Sequence, residues 1–379
     1  MQQQLQKTLT TLKSTPMRVR ANNGTVMEYT AGKATTETLS EAKALNFTTS
    51  TTISSTAFIT APKPSGVIFR AGEWIKYEPL TNPPEADSNQ PQTMTLRLVT
   101  WNVWFETEHI SARSRALLAE ALATNPSILC FQEVTQPFMS ILEETEQIRN
   151  NFWLSYDPKT HNFAQGGYTC IVAVNLSYFT IKLLKEVEVY SIMGRSLWLV
   201  ELSYVVNSLI KTLRVMTSHF ESMSYGQHAR RDQRIAAKQA LLAELNFGIS
   251  AAYDFILCGD FNMTEDAEEN SLLELGFHDV FDTVPNSTTT NSKFRRETVV
   301  PGGYTIGITY PSDIFPPKRF DRVVMLPPVV VEDNDKNPLI PVEYFELGKS
   351  PILGLSSSNG LNNCVYPSDH LGVCVSFKM

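Results

Sequence analysis

The chain has 379 residues, a formal net charge of −7 and a hydrophobic fraction of 42%. It holds enough apolar material for one large core or two smaller ones, and its acid excess excludes a protein that coats nucleic acid by bulk positive charge. No apolar run approaches the roughly 18 residues of a membrane helix, and no secretory leader is expected. Cys130, Cys170, Cys258, Cys364 and Cys374 lack paired metal spacing. Cys130 and Cys258 lie in apolar runs, so buried thiols in a reducing compartment are expected.

Residues 1–62 are polar and rich in Thr, Ser and Asn, which predicts a largely disordered tail. Before Glu28 there is no acid, while Lys7, Lys13, Arg18 and Arg20 are present and Leu5, Leu9 and Leu12 fall at helical spacing. A mitochondrial or plastid transit peptide fits this composition, and so does a plain polar tail on a protein of the nucleus or cytoplasm. Within 63–94, two short apolar runs flank Ala71, Gly72 and Glu73, which predicts a hairpin followed by a linker. An isolated hairpin is marginal, so Trp74 and Tyr77 are expected to anchor it elsewhere.

The texture changes at Thr95, where a domain over 95–379 is expected. Strand-like runs "LRLVTWNV", "ILCFQEV", "TCIVAVNL", "SLWLVEL", "LRVMTSHF", "FILCGDF", "FDRVVML" and "GVCVSFKM" alternate with helical stretches. One helix, "ARRDQRIAAKQALLAEL", is expected to bury Ile235, Leu242 and Leu245. Mixed strands with helices between them predict an α/β (α+β) sandwich.

Six of these runs end or begin in small polar clusters. Asn102, Glu133, His219, the Asp260/Asn262 pair, Asp321 and the Asp369/His370 pair all sit at strand ends, where sites in layered folds gather. A strand alternates its side chains, so Asp260 and Asn262 are expected to share one face. Each residue has an ordinary reading too: a helix cap for Asn102, a favourable helix-dipole charge for Glu133, a satisfied core histidine for His219.

In this order, "TWNVWFE", "ILCFQEV", "GGYTCIVAV", "MGRSLWLVEL", "VMTSHFES", "FILCGDFNM", "GGYTI", "RFDRVVM" and "YPSDHLGV" resemble the endonuclease/exonuclease/phosphatase superfamily, most closely its type-2 tyrosyl-DNA phosphodiesterases. The resemblance covers about 97–379. It implies a four-layer α/β/β/α sandwich, with two mixed sheets face to face and helices outside. It also implies a metal-dependent phosphodiesterase acting on DNA ends, with a phospholipid head group, an inositol phosphate or an RNA 3′ end as the alternative substrate; a monomer is expected. Glu133, with Asn102 and Asp369, is then expected to hold Mg²⁺ or Mn²⁺, which favour hard oxygen ligands. Asp260 would take the proton of the attacking water and Asn262 would orient it. His370, oriented by Asp321, and His219 would donate to the phosphate. Tyr168, Arg195 and Arg231 match substrate-side positions, although a core aromatic and a solvated helix face remain open for Tyr168 and Arg231.

Two positions depart from the tyrosyl-DNA pattern. Thr264 stands where those enzymes keep an arginine, and Ile306 stands where they keep a stacking tryptophan. Trp104 and Tyr310 are the candidates to replace that ring.

Overall fold

Residues in the apolar runs pair into two mixed sheets because both faces of each central strand find apolar cover. The computed structural model describes residues 17–20, 26–29 and 66–379, apart from 71, 78–94, 157–166, 207–208, 223–225, 246–251, 264–265, 285–303, 312–316, 331–337 and 358. Most of the expected tail and linker, the leucine spacing at 5–12, and Thr264 lie outside the described residues. The chain divides into two compact units, Met1–Ile59 and Thr60–Met379. The described residues of the first unit form an antiparallel pair, β1 (Met17–Arg20) with β2 (Val26–Tyr29).

The second unit runs β3 (Val67–Arg70), β4 (Glu73–Lys76), β5 (Thr95–Asn102), α1 (Ile110–Ala123), β6 (Ile128–Val134), α2 (Gln136–Glu144), α3 (Glu146–Asn151), β7 (Phe152–Leu154) and β8 (Thr169–Asn175). It continues through β9 (Thr180–Glu188), β10 (Ser196–Val206), β11 (Leu209–His219), α4 (Gln227–Leu242), β12 (Ala252–Asp260), α5 (Asp266–Glu274), β13 (His278–Asp279) and α6 (Val280–Thr283). Three strands close it: β14 (Asp321–Val330), β15 (Ile340–Leu347) and β16 (Gly372–Lys378). One sheet has the order β15-β16-β5-β6-β8-β7-β3-β4 and the other β13-β14-β12-β11-β10-β9. The hairpin at 67–76 is thus an edge of the larger sheet, where Tyr77 packs edge-on to Trp153 at 6.5 Å between centroids.

Strand alternation sorts the core into three slabs. Ile128 and Cys130 of β6 face Ile256 and Cys258 of β12 between the sheets, while Leu129 and Phe131 pack with Leu117 and Leu118 of α1. Phe255 and Leu257 pack with Ala237 and Leu241 of α4. The four-layer sandwich follows from that sorting. All five cysteines are free thiols, and Cys130 and Cys258 are buried between the sheets.

The buried face of α4 differs from the expected one. Ala229, Arg230, Gln233, Arg234, Ala237 and Leu241 point inward, Ile235 is half-buried and Leu242 is 36% exposed. Only Leu245, just past the helix, packs on the core as expected. The reason is the buried carboxylate of Glu268, which receives Arg230 Nε at 2.8 Å and Arg234 Nη1 at 3.2 Å. A paired guanidinium brings its long aliphatic stem into the core, so an apolar count misplaces the face.

Each sheet contains one parallel pair, β5 with β6 and β11 with β12, each joined through a helix. Parallel strands end on the same side, so Asn102 and Glu133 leave one sheet where His219 and Asp260 leave the other. Among the described residues, no helix is long and apolar enough to cross a membrane.

Candidate active site

Four backbone irregularities aim the site. β6 shifts register against β8 between Phe131 and Val134, and Glu133 there adopts φ 57°. A bulge of this kind re-aims a side chain, which sends Glu133 over the sheet end. Asn262 (φ 48°) and Trp104 (φ 60°) also lie in the left-handed region, which non-glycine residues seldom adopt. Gly259 holds φ 131°, and a Cβ there would lie 2.0 Å from Ser218 O, so only glycine lets β12 close on β11 before Asp260.

Asp260 is the hub. Its Oδ2 accepts from Asn102 Nδ2 at 3.0 Å, and its Oδ1 accepts from the Asn262 backbone N–H at 2.9 Å. His219 Nε2 lies 3.4 Å and His370 Nε2 3.8 Å from Oδ2. The Asp260/Asn262 juxtaposition therefore arises from a turn, not from strand alternation. β12 ends at Asp260, and Asn262 bends back so that its Nδ2 donates to Phe220 O at 3.1 Å.

The two imidazoles have opposite character. Arg195 Nη1 donates to His219 Nδ1 at 2.6 Å, which leaves the ring proton on Nε2, facing Asp260 and Glu133 (3.6 Å). Burial, then the Arg195 and His370 cations, hold the His219 pKa well below its usual value, so this ring is neutral. Burial also opposes charge on His370, but Asp321, Asp369 and Asp260 outweigh it and raise its pKa well above the ordinary value. His370 Nδ1 lies 2.7 Å from Asp321 Oδ2, a buried charged pair. Thr305 Oγ1 accepts from Asp321 N, and its carbonyl accepts from Leu371 N, so Thr305 ties the start of β14 to the segment that carries His370.

Burial pushes three carboxyls upward: Glu133 above its usual range, Asp260 to about 6 and Asp369 to about 6. Glu133 Oε2 accepts from Phe105 N at 3.1 Å, and Asn102 Oδ1 from Trp104 N at 3.0 Å. Among the described residues, no group of three or more His, Cys, Asp or Glu side chains could by itself cage a metal. Mg²⁺ needs no cage, because it keeps several waters and takes one or two carboxylates. Glu133, with the Asn102 side chain beside it, suits that demand, and a cation there would offset the burial of the carboxylates.

Tyr168 and Arg195 are also brought in. The Arg195 guanidinium lies 5.0 Å from the Tyr168 ring centroid, and that ring is 6.0 Å from His219. Arg231 is not brought in: it is exposed on α4, and its neighbour Arg230 turns inward to Glu268 because the helix repeat places 230, 233, 234 and 237 on the buried side. Ile306 is half-buried and bridges Lys318 and His370. Trp104 is not a free platform. Arg113 sits 4.6 Å over its ring and Tyr310 packs 4.5 Å away, tilted by 55°.

Sequence reasoning missed Phe105, whose N–H holds Glu133, and Arg113. Arg113 is 1% exposed and holds the Glu106 and Glu108 carbonyls, fixing the loop after β5. Its signal was an arginine in register with Leu117 and Ala121 on the inward face of α1.

The two parallel pairs, one from each sheet, and the loop before β16 thus bring a carboxylate base, two amides, one neutral and one charged imidazole and a cation-suited carboxylate to a single mouth. Such a sandwich and site define a hydrolase class, and the profile of the Endonuclease/Exonuclease/phosphatase family matches residues 99–370. The chain belongs to that family. No curated protein matches the sequence. Among solved structures it is similar to D. rerio TDP2 in complex with a single-strand DNA product (TM-score 0.55, 17% identity, covering 75% of this chain and 99% of that one). Truncated Caenorhabditis elegans TDP2 is similar too (0.55, 18%, 76% and 98%), as is a family protein from Bacteroides thetaiotaomicron (0.54, 14%, 76% and 99%). At these identities the likeness shows the fold.

Proposed function

We propose that the chain is a divalent-metal-dependent phosphodiesterase that hydrolyses nucleic-acid 5′ ends, in the manner of a 5′-tyrosyl-DNA phosphodiesterase that clears DNA for repair. The observation that carries this reading is the convergence of Asn102, Asn262, His219 and His370 on the Asp260 carboxylate. Asp260 acts as the base that takes a proton from the attacking water, and Asn262 and Asn102 fix its orientation. Charged His370, held by Asp321, and neutral His219, held by Arg195, donate to the phosphoryl oxygens as negative charge develops. Tyr168 and Arg195 flank the substrate phosphate. Glu133, Asn102 and Asp369 hold Mg²⁺ or Mn²⁺, which supplies charge neutralisation at the phosphate.

A panel of 5′-phosphotyrosyl DNA, abasic duplex, poly(A) and sphingomyelin, each with Mg²⁺, tests the reading. The tyrosyl substrate is expected to turn over fastest. Turnover of another member alone would replace the substrate and keep the chemistry, and inertness toward all four would end the enzymatic reading. Ile306 in the place of a stacking tryptophan is what makes the other phosphodiesters worth including. Metal binding has its own readout: Mg²⁺ or Mn²⁺ is expected to raise the melting temperature by scanning fluorimetry, because a ligand of the native state stabilises it. Glu133→Gln is expected to remove most of that shift; an undiminished shift would place the cation elsewhere.

A further inference from the structure

A cavity of about 270 Å³ opens at the end of the larger sheet opposite the candidate site. β8 relates the two places. Tyr168, just before it, faces His219, and the seven residues of β8 then run to Asn175, about 20 Å away at roughly 3.3 Å per residue. The cavity lies between β3 of the edge hairpin, the end of α3 and the turn after β8. The family profile begins at residue 99, so the hairpin lies outside the matched region. It is nonetheless firmly seated. Val67 pairs with Leu154 of β7, Tyr77 N donates to Gly66 O at 2.8 Å across its base, and Trp74 packs on the outer core.

Two cations line the cavity, Arg70 on β3 and Arg149 on α3, and no acid does. The Arg149 guanidinium rests 5.1 Å over the Phe69 ring, which fixes it at the wall. Neither arginine forms an ion pair with a described residue; Glu73 stands opposite Arg70 in the hairpin register but makes no ion pair with it. Asn150 and Ser177, both exposed, add an amide and a hydroxyl. Ser177 is set by its N–H, which donates to Asn175 Oδ1 at 2.9 Å. The Asn151 carbonyl, at a helix end that would repel an anion, is taken by Leu176 N at 2.9 Å. Two like charges at one cavity repel each other, and an anion between them relieves that cost. Guanidinium forks match phosphate and carboxylate oxygens, and a pair of them favours a dianion, hence a phosphate monoester over a carboxylate. The volume is near the lower end of ordinary ligand pockets, which matches a small molecule.

We propose that this cavity is a second binding site, for a small phosphate monoester, with Arg70 and Arg149 holding the phosphate group and the hairpin completing the site. It stands independently of the proposed hydrolysis. The test is calorimetric titration of the full chain, freed of divalent metal so that the candidate active site contributes least. The probes are ribose 5-phosphate, ribose, inorganic phosphate and acetate. Ribose 5-phosphate is expected to bind at least about tenfold more tightly than ribose or acetate, and inorganic phosphate is expected to compete with it. Arg70→Gln and Arg149→Gln are each expected to weaken it about tenfold, the effect of losing a charge-assisted hydrogen bond. Ser177→Glu, which sets a like charge against the phosphate from an exposed position, is expected to weaken it as much, and it serves if Arg149→Gln does not fold. An affinity unchanged in every variant would put the phosphate elsewhere and overturn the proposal. Acetate binding as tightly as ribose 5-phosphate, no competition by inorganic phosphate, or no binding at all would overturn it as well.

Discussion

Asp260→Asn is expected to lose phosphodiester hydrolysis by about 100- to 10,000-fold while the protein stays folded, the range by which a positioned general base contributes. The amide preserves size and can still accept the Asn262 N–H that now reaches Oδ1 at 2.9 Å. It cannot take a proton from water. The wild-type pH profile carries the same signature. Burial, working against the stabilising His370 charge, pushes the Asp260 carboxyl up to about 6. Below that value the group is protonated and cannot act as base, so kcat/KM rises with pH through about 6 and then levels. The variant lacks this limb. Equal turnover in wild type and variant, or a flat wild-type profile from about pH 5 to 7, would remove Asp260 from the role assigned to it.

Trp101→Ala is expected to cost about 3–5 kcal/mol of stability in urea unfolding, the usual range for emptying a buried aromatic site. Trp101 is fully buried under the helices that cover the larger sheet. Its neighbourhood is shaped around it: a Cβ on Gly372 would come within 2.4 Å of the indole and one on Gly348 within 2.6 Å. The indole N–H also donates to His370 O at 3.0 Å. Truncation therefore leaves a cavity and an unpaired carbonyl beside a site histidine. Trp101→Phe separates the two effects, since it refills most of the volume but cannot donate. It is expected to cost less stability than Trp101→Ala while still lowering turnover through a looser His370. A Trp101→Ala protein as stable as wild type would show that the strand ends relax around the gap.

Much of the candidate site was legible because its residues interrupt apolar runs. Asn102, Glu133, His219 and Asp260 end strands, and a polar side chain at such a place marks the sheet margin before any coordinates exist. Arg195 and Tyr168 needed the resemblance, since nothing in their local pattern separates them from core or surface residues. Arg231 was placed by analogy, but the choice between it and Arg230 depends on where Glu268 lies, 38 positions beyond Arg230, and no local pattern encodes that. The stacking candidates show the same limit. Trp104 is turned onto Arg113 and Tyr310, and Phe105, one residue on, takes the open position. A single residue at φ 60° decides which ring faces the site.

The sequence by itself determined the central strands and the layered class, because burial on one or both faces writes itself into local periodicity, whereas strands such as Thr180–Glu188 and Ile340–Leu347 appeared only in the structure. It also determined which polar residues would stand at the strand ends. The tertiary structure decided which of those ends meet, since register and the two parallel pairs bring Asp260 to Asn102 across the sandwich. It also decided their charge. His219 is neutral and His370 is charged although both are buried histidines, because one faces Arg195 and the other faces Asp321. Desolvation and Coulomb forces act through space between residues distant in the chain, so protonation belongs to the folded molecule and cannot be read from the order of its residues.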